Sequence, residues 1–575
     1  MRGCRNAYLL GLFLLLLTNA FALFIPWLLK LAVQSLQHPG SGRSPGVYAG
    51  LIILAALFHG IIRIFSRTTM LNAGRSIEFR IREELYAKLL LLDLPYFSGE
   101  RTGDILSRFS NDLTNVRMLL GFGVQSSINT CILYLAALMV MGSINPLLTC
   151  CAVAPFPVMI LLVKRVSQRI FRRSLQVQEQ LAALSNQIQE NVTAAAVIRG
   201  YCREGAECAT FRDVNERYRD LSMKLARMRG FVIPIMGGAT GVGTLIVLFL
   251  GGSMVIKGTI TLGEFVAFNG YLTMLVWPTI MMGWILNLIQ RGAASLSRIT
   301  VLLDAEATVR DDVDPVSWTP IRGDIRFQGV TFGYGDNGPV LYDISLHLPA
   351  GTKTGIVGPV GSGKSTLVRL IARLLPLPDG ALFIDGIDVN RMALARLRKV
   401  IGFVPQEGFL FSRSIRENIA SGREGATEEE IVAAASLAQL NNEIAAFPDG
   451  YDTQVGERGV TLSGGQKQRT AIARALLADP SILILDDPLS AVDAATEEAI
   501  LAGLGDYYGG RSAVIVSHRL SAVQGCDLIV VLEEGRIVEQ GSPAQLLAMG
   551  GRYAALHLEQ QLRQEIRRFG EGGGA

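Results

Sequence analysis

The chain of 575 residues has room for several domains. Half of its residues are hydrophobic and its mean hydropathy is +0.35, which is too apolar for a wholly soluble protein. Lys and Arg number 54 against 50 Asp and Glu, and the resulting net charge of +4 requires no nucleic-acid partner: a solvated face or anionic lipid accounts for it equally well.

The apolar residues concentrate in the N-terminal half. Ala7–Leu29 carries no charge, Val47–Ile62 is apolar up to Arg63, and Gly230–Ile256 and Phe265–Gln290 are uncharged. Each can serve as a membrane crossing, for which ~20 residues suffice. Met118–Val163 is also uncharged but too long for one crossing, so it divides at Ser143-Ile144-Asn145-Pro146 into two helices joined by a tight turn. Six spans result. Arg2, Arg5, the leucine run and Asn19-Ala20-Phe21-Ala22 mimic a cleavable signal peptide. The apolar stretch continues through Ile25-Pro26-Trp27-Leu28-Leu29, however, and the reading adopted is an uncleaved first span.

Orientation follows from the basic residues. Lys164–Arg229 holds thirteen Lys and Arg against seven acids, and Arg63–Arg117 holds nine. Both segments, and both termini, are therefore expected in the cytoplasm, with helices continuing well past the bilayer. His59 and Arg63 stand one turn apart near the cytoplasmic end of the second span, where the arginine can snorkel, pair or face a translocation cavity. Trp277-Pro278 and Trp284 suit hydrophobic cargo or plain helix packing, and Gly237 and Gly241 have the spacing of close helix contact. The seven cysteines show no C-x-x-C spacing and are expected as reduced structural thiols.

A heterogeneous polar stretch, Ala305–Pro320, leads into the second half. There GPVGSGKS, Gly358 to Ser365, fits G-x-x-x-x-G-K-[ST]. Gly361 and Gly363 let backbone N–H groups curl around phosphates, Lys364 neutralises them, and the Ser365 hydroxyl can ligate Mg²⁺. Thr366–Leu375 is helical in period, so the anion sits at a helix start. Gly358, Ser362 and Thr366 complete this nucleotide-binding set. Ile482–Leu485 reads as a buried parallel strand whose end presents Asp486 to the metal. Leu462-Ser463-Gly464-Gly465-Gln466 opens a second helix, Lys467–Ala478, and with it a second anion-binding helix start. One domain cannot easily close both starts on one nucleotide. The economical arrangement is a head-to-tail pair of domains, each covering the other's ATP.

These motifs, in this order, resemble the ATP-binding cassette (ABC) family. Tyr334 resembles the aromatic that stacks on adenine, and Gln406 the Q-loop glutamine that senses the γ-phosphate and metal. Gly456-Glu457-Arg458-Gly459 resembles the exporter X-loop, Ser490–Asp493 the D-loop, and His518 the switch histidine. The whole chain resembles an exporter half-transporter of the type IV ABC fold: an α-helical six-span membrane domain followed by an α/β P-loop ABC nucleotide-binding domain. The boundaries expected are 1–304 for the membrane domain, 305–323 for a linker, 324–560 for the cassette and 561–575 for a disordered tail. Leu94–Asp112 and Arg203–Tyr218 resemble the family's two cytoplasmic coupling loops. The resemblance implies ATP and Mg²⁺ as cofactors and a second half-transporter chain as partner.

One position departs from the family pattern. Asp487 stands where an active ABC ATPase has the glutamate that orients or deprotonates the attacking water. Losing a methylene withdraws the carboxylate by ~1.5 Å, and general-base chemistry depends on a reach of ~2.6–3.2 Å. ATP binding should survive while hydrolysis falters, unless the change is simply tolerated. Because the 462–466 motif is intact, the chain can still complete a competent site belonging to a different partner. It thus resembles the degenerate-site half, the Mdl-type A subunit, of heterodimeric bacterial multidrug exporters. The resemblance places it in the bacterial inner membrane, driving efflux of hydrophobic or amphipathic compounds, with lipid translocation or nucleotide-gated switching as alternatives. Asp487, His518 and Gln406 are its catalytic candidates, and Ser365, Gln406 and Asp486 its metal candidates.

Overall fold

The computed structural model describes residues 4–37, 44–312, 314–316, 321–335, 338–456, 459, 462–489, 491–507 and 509–572. Glu457 and Arg458 of the predicted X-loop, Ser490 of the predicted D-loop, and linker positions 313 and 317–320 lie outside them. The chain forms two compact units, 1–90 with 102–305, and 306–575 joined by the short segment 91–101.

The first unit is helical. Among the described residues four helices are long and apolar enough to cross a membrane: Arg5–Gln37, Pro45–Leu91, Thr102–Ile144 and Leu262–Asp304. Pro146–Val158 and Gly241–Ile256 are shorter apolar stretches, at the places of the other two predicted spans. The predicted tight turn is a single residue. Asn145 adopts an extended conformation between helices, and its side chain accepts a hydrogen bond from Leu148 N, capping the helix that Pro146 begins. Leu262–Asp304 opens on a capping box, in which Thr261 and Glu264 satisfy each other's backbone N–H groups. Two π-helical turns, Arg108–Asp112 and Leu119–Gly123, interrupt the third long helix. Large apolar side chains such as Phe13, Ile53, Phe65 and Phe249 stand exposed on these helices. Such a surface is at home in lipid rather than in water.

The second unit is α/β. Its strands are β1 Ile325–Gly333, β2 Pro339–Leu348, β3 Lys353–Val357, β4 Leu382–Ile384, β5 Ile387–Asp388, β6 Ile401–Val404, β7 Ile482–Asp486, β8 Ser512–Val516, β9 Leu528–Glu533 and β10 Arg536–Gly541. They form an antiparallel sheet in the order β2-β1-β4-β5 and a six-stranded sheet in the order β10-β9-β3-β8-β7-β6. The latter is parallel except for β10. The strand predicted at 482–485 is β7, buried at every position.

Side chains alternate across this sheet and divide the core in two. Ile482 and Ile484 join a cluster with Leu367, Val368 and Ile371 of the helix Lys364–Ile371, whereas Leu483 and Leu485 join one with Ala471, Ile472 and Leu476 of the helix Gly464–Leu477. The two glycine-initiated helices therefore pack on opposite faces of one sheet.

Three expectations need correction. The segment 91–101, expected in the membrane domain, belongs to the second unit. The helix predicted to run to Leu375 ends at Ile371, because Arg373 takes a left-handed conformation (φ 46°) and its buried guanidinium donates to the carbonyls of Val389, Met392 and Arg310. The segment predicted as a disordered tail from 561 instead continues the helix Arg552–Gly572. Its run of Glu, Gln, Leu and Arg has high intrinsic helix propensity, which composition alone concealed.

Candidate nucleotide site

The loop after β3 is shaped by its glycines. At Gly363, where the helix begins, φ is +97° and a Cβ would lie 2.7 Å from Leu341 Cδ2. At Gly358 a Cβ would lie 2.0 Å from Leu532 O. Neither position admits a side chain. Gly361 is exposed on the loop and Ser362 is buried beneath it. Lys364 Nζ folds back over the loop, donating to Gly358 O at 2.9 Å and Pro359 O at 2.7 Å. Burial pulls the Lys364 amine below the usual lysine range, opposed by the negative charges of Asp487 and Asp486.

The parallel register then assembles the carboxylates. Asp486 ends β7 opposite Val516 of β8, and Ser365 Oγ donates to Asp486 Oδ1 at 2.8 Å. Asp486 is fully buried, and its second oxygen, Oδ2, has no hydrogen-bond partner among the described residues. Burial pushes this carboxyl up, against the lowering effect of the Ser365 hydrogen bond. Asp487 follows in a left-handed conformation (φ 50°), its N–H donating to Val516 O. Its two carboxylate oxygens lie 3.1 and 3.0 Å from His518 Nδ1, beyond the end of β8. Non-glycine residues held in this region of backbone space cluster at functional sites.

Tyr334 stands just past β1, and its hydroxyl lies 3.1 Å from Thr366 Oγ1 on the phosphate-loop helix. Its ring packs edge-on against Phe332. Gln406 follows β6, whose Val404 is in register with Leu485, so it emerges at the same end of the sheet as Asp486, with its side chain exposed. The sheet thus gathers Lys364, Ser365, Asp486, Asp487 and His518, with Tyr334 and Thr366 beside the loop.

The 462–466 motif is built separately. Ser463 caps Gly464–Leu477, its Oγ accepting from Gln466 N while Gln466 Oε1 accepts from Ser463 N. Ser463 and Gly464 are exposed, whereas a Cβ at buried Gly465 would press to 3.0 Å from Ala491 O. Several supporting residues were missed in the sequence. Glu443 accepts from Gln466 Nε2 at 2.9 Å and from Arg469 Nη2 at 2.6 Å. Gln468, 6 % exposed, accepts from Ala491 N and donates to Gln406 O. Gln560 donates to His518 O. Gln468 and Arg469 were legible as the continuation of the 462–466 motif; Glu443 and Gln560 carried no local signal.

Comparison with known proteins agrees with this architecture. The family described as "ABC transporter transmembrane region" matches residues 8–279, and that described as "ABC transporter" matches residues 341–490. The chain is 36% identical over 573 residues to the "probable multidrug resistance ABC transporter ATP-binding/permease protein YheI" of Bacillus subtilis (strain 168), covering 98% of this chain and 96% of the relative. It is 34% identical over 562 residues to the "multidrug resistance-like ATP-binding protein MdlA" of Escherichia coli (strain K12), covering 97% and 95%. A solved structure described as a bacterial Atm1-family ABC exporter with ATP bound matches with a TM-score of 0.81 and 28% identity, over 97% of this chain and 99% of that one.

Proposed function

The chain belongs to the ABC transporter family, an ATPase coupled to transport across a membrane, and on that premise we propose that it is one half of a heterodimeric exporter of hydrophobic or amphipathic compounds. The chain carries a weak hydrolytic site of its own and lends its 462–466 motif to a competent site on a partner. The observation that carries this is the carboxylate of Asp487, one methylene short and held at His518.

The two helix starts on opposite faces of the sheet support a two-chain site: phosphate held at Gly363–Lys364 faces the Ser463–Gly464 start of a second cassette. Lys364 exchanges its loop carbonyls for phosphate oxygens, joined by the N–H groups of Gly361 to Thr366. Tyr334 stacks on adenine. Ser365, Asp486 and Gln406 would hold Mg²⁺; the partnerless Asp486 Oδ2 beside a serine hydroxyl fits a hard, oxygen-seeking cation. When bound, that ion draws off negative charge developing on the phosphates. Asp487 orients the attacking water poorly because its reach is short, while His518 donates toward the phosphate. Ser463, Gly464, Gly465 and Gln466 do their work on the partner's nucleotide.

The membrane half crosses the bacterial inner membrane six times, the two shorter apolar helices supplying the crossings beyond the four long ones. Both termini and both long basic segments lie in the cytoplasm. The names of the multidrug relatives favour drug-like cargo.

The test is Mg²⁺-dependent ATPase activity of the purified chain, alone and with its partner half-transporter. The pair should be faster by on the order of 10²-fold, the loss a misplacement of about 1 Å can cause. Hydrolysis by the lone chain equal to that of the pair would sink the heterodimer reading.

A further inference from the structure

The membrane unit carries a partly open cavity of about 480 Å³, lined by all four of its long apolar helices. The volume falls in the range of small-molecule sites, ~300–1,000 Å³. Its polarity is lopsided. His59, Arg63 and Arg67 recur every fourth residue on one helix, so they form a single stripe, and all three line the cavity. No Asp or Glu stands among the described residues lining it. Neither arginine forms an ion pair among the described residues, and Arg67 lies over the Phe122 ring at 6.0 Å.

The rest of the lining is mixed in character. Gln125, also on the lining, has its Oε1 buried without a hydrogen-bond partner among the described residues. Gln125 stands two residues beyond the π-helical turn Leu119–Gly123, a local widening that often marks functional sites and that carries Phe122, also on the lining. The other three helices contribute apolar side chains, Leu133, Met274, Trp277 and Met281 among them, together with polar ones such as Asn129 and Thr130. Arginines that merely snorkel to the membrane surface would account for the charge, but not for their place on one cavity with Trp277 and Met281.

We propose that this cavity binds amphiphilic anions, with the phosphate or other acidic head against Arg63 and Arg67 and the apolar body against Trp277 and Met281. Two guanidiniums without counter-ions among the described residues discriminate between head-group charges through charge-assisted hydrogen bonds. A cation of the same shape meets two like charges, and a neutral analogue leaves both unpaired. The inference rests on the exporter reading and adds the class of cargo to it.

The test is equilibrium binding by intrinsic tryptophan fluorescence, since Trp277 lines the cavity, with the chain and its partner in lipid nanodiscs. The probes are dodecyl phosphate, dodecanol, dodecyltrimethylammonium and inorganic phosphate, the amphiphiles kept below their micellar concentrations. Dodecyl phosphate should bind about tenfold or more tighter than dodecanol or the ammonium, the discrimination that charged hydrogen bonds supply. Inorganic phosphate should not compete at equal concentration. Arg63→Gln and Arg67→Gln should each erase most of that preference while leaving dodecanol binding unchanged, and Arg63→Lys should keep part of it. Equal affinity for the three head groups, full competition by inorganic phosphate, or an unchanged preference in both glutamine variants would overturn the proposal. ATP-driven vesicle transport of the same probes separates the two levels. Transport that prefers the cation leaves the exporter reading standing and removes this one. Binding that prefers the phosphate with no ATP-driven movement of any probe does the reverse.

Discussion

Two helices of the second unit begin on glycine-rich turns, and they differ in what their own chain leaves open. At Gly363–Lys364 the lysine amine is held by carbonyls of its own loop, Ser365 is bonded to Asp486, and Tyr334 and Thr366 meet alongside. At Ser463–Gly464 the cap is closed on itself through Gln466, and both residues present an exposed face. The first start is a site furnished by its own chain. The second is a finished surface that its own chain leaves open, as the proposed two-chain site requires.

The comparison breaks most visibly at Gly464. Gly464→Asp sets a carboxylate against the partner's nucleotide, replacing a favourable helix start by like-charge repulsion. ATPase of the co-purified pair should fall by on the order of 10²–10³-fold. A Cβ there would meet Ala491 Cβ at 3.3 Å, so Gly464→Ala measures the steric part and should cost far less. Retention of full activity by Gly464→Asp would show that this surface covers no competent nucleotide.

A smaller loss is expected at the first start. Lys364→Ala removes the phosphate-neutralising amine from the slow site, and net ATPase of the pair at saturating ATP should fall by about tenfold or less, roughly 1.4 kcal/mol. If Lys364→Ala abolished hydrolysis while Gly464→Asp spared it, the division between the two starts would be reversed. The smallest effect concerns the anchoring of the second start. Gln468→Leu strands the Ala491 N–H and should lower the unfolding free energy by about 1 kcal/mol, read from denaturant titration, with a change in ATPase below that of Lys364→Ala. Unchanged stability would show that Gln468 anchors nothing.

The parts legible in the sequence are those fixed by local chemistry. The phosphate loop, the buried strand at 482–485 and the glycine-backed helix start at Ser463 depend on residues within a few positions of one another, and the structure has all three. What escaped notice depends on distant segments. The end of the phosphate-loop helix is set by Arg373 reaching the carbonyls of Val389 and Met392. The Asp487–His518 contact spans 31 positions and exists because β7 and β8 are neighbours in register. The segment 91–101, assigned by sequence to the membrane half, belongs to the second unit, where Asp93 accepts hydrogen bonds from Thr308 and Val309. In the membrane half, His59 and Arg63 were visible as a pair; their continuation through Arg67 to a cavity wall with Gln125 required the packing of four helices.

The central claim is that one missing methylene at position 487 makes this chain the weak half. The direct measurement is the Mg²⁺-ATPase rate of the lone chain carrying Asp487→Glu, with ATP binding measured alongside. The added methylene extends the carboxylate's reach by ~1.5 Å, the length that the general-base geometry is proposed to lack. The rate should rise by about tenfold or more over the unaltered lone chain, with ATP affinity unchanged. A glutamate variant that binds ATP normally yet hydrolyses it no faster than the unaltered chain would contradict the account.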